Sequence, residues 1–323
     1  MLRIKRAVAA FLGLALLVFA SGPFVAAQQA PSGSGLSISP TISQFTISPG
    51  GEKSLTLTIK NITVDDVTAQ GVINDFTSDN STGNPKILTD TNTTSPNSIK
   101  PFVVNLDNVP LKKGEQKNVI IALAVPKNTA PGAYYGIIRY KAVPASVAAP
   151  APGQVALTAS VGSIVLITVP GNLRHQLQLS AVHVYRGAHE GSLFFTRPNK
   201  IGVEVKNFGN GFEQPFGNVE VQNMFGKSVG NFQYNNPKQL GNVLPNSTRN
   251  FINNTNLIRQ PGRYTITAHV SYGSGSQILT LSKTVWYIPA WLAIVIALVI
   301  LALLFLAYRA YRRYKHSQRH SGS

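Results

Sequence analysis

The stretch Ser54-Leu55-Thr56-Leu57-Thr58-Ile59-Lys60 alternates apolar and polar side chains with a period of two. Successive side chains of a β-strand point to opposite faces, so this pattern predicts a strand with one buried face. The turn Pro49-Gly50-Gly51-Glu52 precedes it and provides glycine for a positive φ angle. The sequence therefore predicts a tight turn that leads into a half-buried strand.

Most of the chain between Leu36 and Val285 repeats this character, and no stretch there shows a sustained 3.6-residue apolar stripe. Short strands separated by Gly, Pro, Asn and Asp turns are typical of antiparallel β-sandwiches. The clearest further strands are predicted at Asn118–Val125, Ala133–Lys141, Gln154–Val169, Gln176–His183, Ile201–Asn207, Gly217–Gln222, Tyr264–Tyr272 and Gln277–Thr284.

Two short patterns occur twice in the same order. A strand that ends in Lys-Asn appears at Leu57–Asn61 and again at Val203–Asn207. A Pro-Gly-x-Tyr start to a strand appears at Pro131–Tyr134 and again at Pro261–Tyr264. The repetition indicates that both halves of the chain use the same sandwich design.

The N-terminus has the pattern of a secretory signal peptide at residues 1–27. Basic residues come first, an apolar run follows from Ala7 to Ala20, and Val25-Ala26-Ala27 provides small residues for cleavage before Gln28.

The C-terminus predicts one membrane-spanning helix. The twenty residues Ile288–Ala307 carry no charge, and about 30 Å of helix crosses the hydrocarbon core. Trp286 and Trp291 at one end are typical of the membrane interface. We assign residues 286–308 to the spanning segment and 309–323 to a basic cytoplasmic tail, which places the body of the chain outside. A cleaved glycolipid signal and a sortase signal fit less well, since a basic tail follows and no L-P-x-T-G precedes the helix.

The segment between the two ends suits two domains, which we place at residues 28–170 and 171–285. The chain contains no cysteine, so each domain depends on its apolar core for stability. Ala142–Gly153 is rich in alanine and proline and is interpreted as a protruding loop of the first domain. Asp75–Ser98 is polar and is predicted to be a second exposed excursion.

Basic charge outside the membrane is concentrated in the second half. Residues 28–170 hold ten basic and eight acidic groups, whereas residues 171–287 hold eleven and four. This excess of basic groups predicts that the second half is attracted to anionic wall polymers or lipid headgroups. The alternative is that the basic groups only make the surface soluble and bind no specific ligand. The basic residues are scattered and the predicted location is outside the cell, and both points argue against nucleic-acid binding. The candidate basic binding surface consists of Arg174, Arg186, Arg197 and Lys200.

No catalytic motif is present in the sequence, and we expect a protein that is not an enzyme and has no cofactor. The chain lacks a cysteine nucleophile, a G-x-S-x-G elbow, H-E-x-x-H and a phosphate-binding glycine loop. His183 and His189 are separated by Arg186, an unfavourable environment for a cation, and His175 and His269 have no ligand-like neighbours in sequence, so no metal site is assigned. Asp75, Asp79 and Asp90 share one polar loop, and hard-cation binding there is an alternative.

The arrangement resembles the WxL-interacting proteins of Gram-positive-type cell surfaces. Similar stretches are Leu36–Pro40, Pro49–Asn61, Leu111–Tyr140 and Lys206–Val221. The resemblance implies two tandem immunoglobulin-like antiparallel β-sandwiches, one C-terminal transmembrane helix and a plasma-membrane location. It further implies that the first domain contacts peptidoglycan or another cell-wall glycan and the second contacts a surface protein.

Three functional hypotheses remain open from the sequence. The first is a membrane-anchored adaptor that binds wall glycan and another surface protein. The second is a stalk or spacer whose basic domain is held electrostatically at an anionic wall or membrane. The third is a cation-dependent adhesin that uses the Asp75–Asp90 loop.

Overall fold

The computed structural model describes residues 35–89, 94–144, 160–235, 237–238, 240–273 and 277–320, with side chains of the C-terminal helix described to residue 312. The predicted signal peptide and most of the Ala142–Gly153 loop lie outside the described residues. The rest is all-β with one C-terminal apolar helix, which confirms the predicted fold class.

The first half forms a sandwich of two sheets within the described ranges. One sheet has the strand order β1-β3-β8 and the other has the order β2-β10-β9-β4-β7. A small β5-β6 hairpin and a 3₁₀ turn at Lys100–Phe102 complete this half. The strands are β1 Leu36–Ser39, β2 Ile42–Thr46, β3 Glu52–Asn61, β4 Val67–Asn74, β5 Phe76–Ser78, β6 Pro85–Ile87, β7 Val109–Leu111, β8 Gln116–Ala124, β9 Gly132–Pro144 and β10 Ser160–Val169.

The second half repeats this design. Its sheets have the orders β12-β11-β14-β17 and β13-β19-β18-β15-β16. The strands are β11 Leu177–Arg186, β12 His189–Glu190, β13 Leu193–Phe194, β14 Lys200–Asn207, β15 Phe216–Asn223, β16 Ser228–Gln233, β17 Thr248–Asn254, β18 Gly262–Tyr272 and β19 Gln277–Tyr287.

In both halves the first part of the chain crosses from one sheet to the other. β1 pairs antiparallel with β3, and β2 then pairs in parallel with β10. In the second half β11 pairs antiparallel with β14, and β13 pairs in parallel with β19. This shared topology agrees with the sequence repeats.

Each sandwich is closed by its own apolar core. Leu57, Ile59 and Ile138 are fully buried in the first, and Val203 and Ile266 are fully buried in the second. The alternation that predicted these strands therefore gives the correct buried face. Burial of each such side chain contributes about 1.5–3 kcal/mol to folding, which is the stabilisation that a chain without disulfides requires.

The C-terminal helix α1 spans Ala290–His320. Its segment Ala290–Arg312 is long and apolar enough to cross a membrane, and the most apolar part of this segment is not buried against the rest of the protein. The helix begins later than predicted, because Trp286 and Tyr287 belong to β19 and Pro289 separates strand from helix.

Most described residues of the polar segment Asp75–Ser98 are exposed, as predicted, but the two ends of the segment are anchored. Asp75, Phe76 and Ser98 are buried, and the β5-β6 hairpin forms within the segment. Asp75 lies 3.2 Å from the ammonium of Lys100 and accepts a hydrogen bond from the amide of Ser95. The segment is thus attached to the sandwich at its ends, while most of its described residues remain exposed.

The repeated Lys-Asn motif ends in a buried asparagine with the same role in both sandwiches. The side-chain amide of Asn61 donates to the carbonyls of Asp65, Leu111 and Lys112 at 2.8, 3.3 and 3.1 Å. The side-chain amide of Asn207 donates to the carbonyls of Gly211 and Val243 at 2.9 and 3.0 Å.

In each sandwich the asparagine joins the loop that follows its own strand to the segment before the neighbouring strand. Its side-chain oxygen accepts from the loop as well, from the amide of Gly209 at 2.8 Å in the second sandwich. Buried backbone groups need such partners, because an unpaired one costs about 1–3 kcal/mol. The two asparagines therefore close equivalent ends of the two sandwiches.

Replacement of Asn207 by alanine should destabilise the second sandwich. The Asn207→Ala variant leaves the carbonyl of Gly211 and the amide of Gly209 without partners, whereas the carbonyl of Val243 keeps its bond from the amide of Glu213. We expect the free energy of unfolding to fall by at least about 2 kcal/mol. Urea unfolding of the detergent-solubilised chain, followed by circular dichroism, measures the change. The exposed Asn254 provides the control, and Asn254→Ala should change stability by less than about 0.5 kcal/mol. Equal midpoints for the two variants would contradict this role.

Candidate functional site: a groove between the sandwiches

A third apolar cluster lies outside the two sandwich cores. It consists of Phe76, Tyr135, Ile137, Leu166 and Leu244, with Ile164 and Phe212 packed against it. Most of these residues belong to the first half, whereas Leu244 and Phe212 belong to the second. The cluster therefore joins the two halves.

The cluster forms because one sheet is apolar on both faces. In β10, Val165 and Ile167 point into the first core, while Ile164 and Leu166 point to the outer face. Such a continuous apolar run is typical of a strand that is covered on both sides. The β5-β6 hairpin and the second sandwich cover part of this outer face and leave a groove beside it.

The β5-β6 turn is hydrogen-bonded to the second sandwich. The carbonyl of Ser81 accepts from the amide of Asn250 at 2.6 Å, and the side-chain oxygen of Asn80 accepts from the amide of Thr248 at 3.2 Å. Asn80 adopts a positive φ of 54° at the tip of the turn, a conformation that asparagine tolerates better than most residues. These bonds hold the hairpin as one wall of the groove.

Two adjoining cavities make up the groove, with volumes of about 430 and 460 Å³. Both are lined by Ile42, Pro85 and Ile164. Ile42 is 46% exposed and Ile87 is 37% exposed, so apolar surface remains accessible to a partner. Further apolar lining residues of the first cavity are Phe76, Leu166, Leu240 and Leu244.

Arg249 places a cation on the wall of the first cavity, and Arg139 places another on the wall of the second. The guanidinium of Arg249 donates to the carbonyl of Asn242 at 2.7 Å and lies 4.8 Å from the ring centroid of Phe251. Burial lowers the pKa of Arg249, and the nearby carboxylate of Asp79 opposes that shift. Its Nε is buried and has no hydrogen-bond partner in the described part of the chain. The group stays protonated and retains capacity for an acceptor.

A free strand edge runs beside the groove. β2 pairs with β10 on one side and has no strand partner on the other among the described residues. Its residues Ile42 and Gln44 line the first cavity. An unpaired strand edge offers a row of backbone donors and acceptors to another chain. The edge and the groove thus form one continuous surface.

The structure divides the predicted basic surface between the two ends of the second sandwich. Arg174 precedes β11 and donates to the carbonyl of Phe208 at 3.0 Å, at the end near the first sandwich. Arg186 ends β11, which is ten residues or about 30 Å long, and Lys200 pairs with the neighbouring Tyr185. Arg197 lies near Arg259, whose carbonyl accepts from it at 3.3 Å.

Two histidines and three carboxylates of the second sandwich pair with each other. His183 contacts Glu190 at 2.7 Å and Glu204 at 3.3 Å, and His175 contacts Glu213 at 2.7 Å. Within the described residues no group of three or more His, Cys, Asp or Glu side chains is arranged to hold a metal ion. Of the proposed cation loop, Asp90 lies outside the described residues.

Sequence reasoning missed the groove and Arg249. The continuous apolar run of β10 was the available signal, since a strand that is apolar on both faces requires cover on both. The residues that cover it come from distant parts of the chain, and periodicity does not identify them.

No family model matches this chain, and no curated protein matches it by sequence. Solved structures similar in fold include the chaperone–tip adhesin complex of CFA/I fimbriae, at 11% identity over 80% of this chain and 100% of that one, with a TM-score of 0.38. Another is the class 5 fimbriae chaperone CfaA, at 10% identity over 77% and 98% of the two chains, with a TM-score of 0.38. A third is the Salmonella enterica SafA pilin–SafB chaperone complex, at 14% identity over 79% and 99%, with a TM-score of 0.33.

These neighbours are all-β, pilus-chaperone-like structures, and the likeness concerns the fold alone. None of these matches supports the WxL-interacting family specifically, so that resemblance stays a prediction. The domain boundaries and the role expected of each domain stay predictions as well.

The β5-β6 turn should be sensitive to acid through Asp79. Burial alone would raise its pKa, but hydrogen bonds from Thr82, Ser81 and Gly83 together lower it from 3.8 to about 2. A depressed pKa means that the stabilisation is complete above about pH 4 and is lost as the pH falls toward 2. Carboxyl ¹³C NMR should give a titration midpoint of about 2 for Asp79.

The Asp79→Asn variant serves as the control for this titration. It lacks the ionising group, so protection of the turn amides should not change between pH 4 and 2 beyond the change seen elsewhere. A midpoint near 4 in the unsubstituted protein would contradict the hydrogen-bonded geometry.

Proposed function

We propose that this protein is a membrane-anchored adaptor of a bacterial cell surface that binds another surface protein in the groove between its sandwiches. The observation that carries the proposal is the exposed apolar groove beside the free edge of β2. Contiguous apolar surface of this kind marks interaction sites in proteins. The function is binding, without catalysis or a cofactor.

The groove suits an extended segment of a partner protein. A strand that pairs with the free edge of β2 would gain backbone hydrogen bonds and place every second side chain on the groove side. Ile42 and Ile164 would pack against apolar side chains of that segment. Arg249, which lines the first cavity, would receive a carboxylate or a carbonyl on its guanidinium.

Location and wall contact complete the proposal. The predicted signal peptide and the basic tail favour a single-pass protein of the plasma membrane with its sandwiches outside and its C-terminus in the cytoplasm. Contact of the first sandwich with peptidoglycan or related glycan is supported by the family resemblance. The adaptor would thereby hold its protein partner between membrane and wall.

Charge placed in the groove should abolish capture of the protein partner. Ile42→Asp and Ile87→Asp each put a carboxylate on the apolar lining, and we expect capture from detergent extracts of the cell envelope to fall by at least about tenfold. Ile120, which is 62% exposed on β8 of the opposite sheet, is the matched control. Equal capture by Ile42→Asp and Ile120→Asp would overturn the groove as the binding surface.

Wall binding should persist when long-range attraction is screened. Co-sedimentation of the detergent-solubilised chain with isolated peptidoglycan compares physiological salt with 1 M salt, where the screening length falls from about 8 to about 3 Å. A specific glycan site predicts that binding is retained at both salt concentrations. Complete loss at high salt would show that only the basic charge of the second sandwich attracts the wall, as in a spacer.

A further inference from the structure

The end of the second sandwich that faces α1 is fixed close to the helix. Only Ile288 and Pro289 separate β19 from α1. The amides of Ile288 and Ala290 donate to the carbonyls of Phe194 and Phe195 at 2.9 and 3.2 Å. Because the start of the helix is hydrogen-bonded to the sandwich, a bilayer crossed by α1 lies directly against this end.

The β15-β16 hairpin presents a large apolar side chain at the same end. Phe225 is 84% exposed and Met224 is 50% exposed. Asn223 pairs with Tyr264, and two residues earlier in β18 Gly262 pairs with Tyr287 at the end of β19. The hairpin tip therefore extends to the level at which the strand gives way to the helix.

The tip is a rigid turn. The side-chain oxygen of Asn223 accepts from the amides of Phe225 and Lys227 at 3.0 and 3.1 Å, and its backbone amide donates to the carbonyl of Lys227 at 2.9 Å. Gly226 provides the positive φ of 75° that the turn requires. The backbone of the turn thus directs Phe225 outward. The turn needs little further ordering when Phe225 contacts another surface.

Exposed apolar and basic side chains surround this tip. Phe195 is 52% exposed and Trp286 is 45% exposed. Arg263 lies opposite Trp286 in the strand pair, and Arg197 donates to the carbonyl of Arg259 at 3.3 Å. Exposed cations at this end include Arg197, Lys227, Arg259 and Arg263.

Of the four acidic groups of the second half, Glu190 lies toward this end but contacts Lys283, and the other three lie farther from it. Glu190 contacts both His183 and Lys283, and Glu204 also contacts His183. Glu213 contacts His175 near the first sandwich, and Glu220 pairs with Thr267 within the sheet. The surface that faces the helix end is therefore positively charged.

We propose that this end of the second sandwich is a lipid-docking surface, in which Phe225 and Met224 enter the headgroup region and the surrounding cations contact anionic headgroups. Aromatic rings and long basic side chains prefer that depth, and juxtamembrane cations are attracted by anionic lipid. The bilayer is the occupant because the helix brings it to this surface. The inference rests on the spanning helix of the proposed function.

The absence of cysteine allows a direct test with spin labels on the full chain in nanodiscs of phosphatidylcholine, with and without phosphatidylglycerol. Three single-cysteine variants are compared: Phe225→Cys at the tip, Asn218→Cys on the same strand and Leu301→Cys in the helix. Accessibility to oxygen and to a water-soluble nickel chelate gives the depth of each label. With phosphatidylglycerol present we expect headgroup depth at 225, water at 218 and hydrocarbon at 301.

The three positions separate failure of the docking surface from failure of the anchor. An aqueous label at 225 together with a label in hydrocarbon at 301 would overturn lipid docking and leave the anchor intact. An aqueous label at 301 would overturn the spanning helix and, with it, the docking proposal.

The charge component has its own matched control. In the Phe225→Cys background, Arg259→Gln and Arg263→Gln should each lower the ratio of immersed to aqueous label about fivefold in anionic nanodiscs, and Lys206→Gln, at the other end of the sandwich, should not. An equal effect of Lys206→Gln would show attraction by net charge alone and would overturn a localised surface.

Discussion

The two buried asparagines at the ends of β3 and β14 are the constraint on which the rest of the structure depends. A cysteine-free chain cannot close the end of a sandwich with a disulfide, and buried carbonyls there would be costly without donors. Asn207 holds the loop that contains Asn210, whose carbonyl accepts from the amide of Ala133 at 2.8 Å. The side-chain amide of Asn210 in turn donates to the carbonyl of Pro131 at 3.2 Å. Closure of the second sandwich and its contact with the first thus share one polar network.

That contact exists because the five-stranded sheet of the first half is apolar on both faces. A sheet of this kind cannot leave its outer face in water without a large cost, so other parts of the chain must pack on it. Phe76 of the hairpin and Leu244 of the second sandwich cover part of it. The cover stops short of Ile42, and the remaining apolar surface is the groove. The apolar outer face of this sheet therefore accounts both for the contact between the sandwiches and for the exposed groove.

The sequence predicted what depends on local pattern. Alternation around Leu57 identified a strand and its buried face, and the repeated Lys-Asn ending indicated a shared design, because both signals lie within a few residues. The outer face of β10 was not interpreted, since Phe76 and Leu244 are far from it in the chain. The basic surface was proposed from charge density alone. Which cations are neighbours depends on the direction of the strands. β11 lies between Arg174 and Arg186, so Arg174 is at one end of the sandwich and the other three basic residues are at the opposite end.

The short connection between β19 and α1 also sets a distance. Strands of the second sandwich such as β18 contain up to eleven residues, which corresponds to on the order of 35 Å. In the proposed arrangement, in which this sandwich rests on the bilayer and the first is stacked beyond it, the groove would open roughly one sandwich length above the lipid surface. Only molecules that extend to that height, or that hang down from the wall to it, come within reach. In that arrangement the height of the groove would limit which partners reach it, before any side chain recognises them.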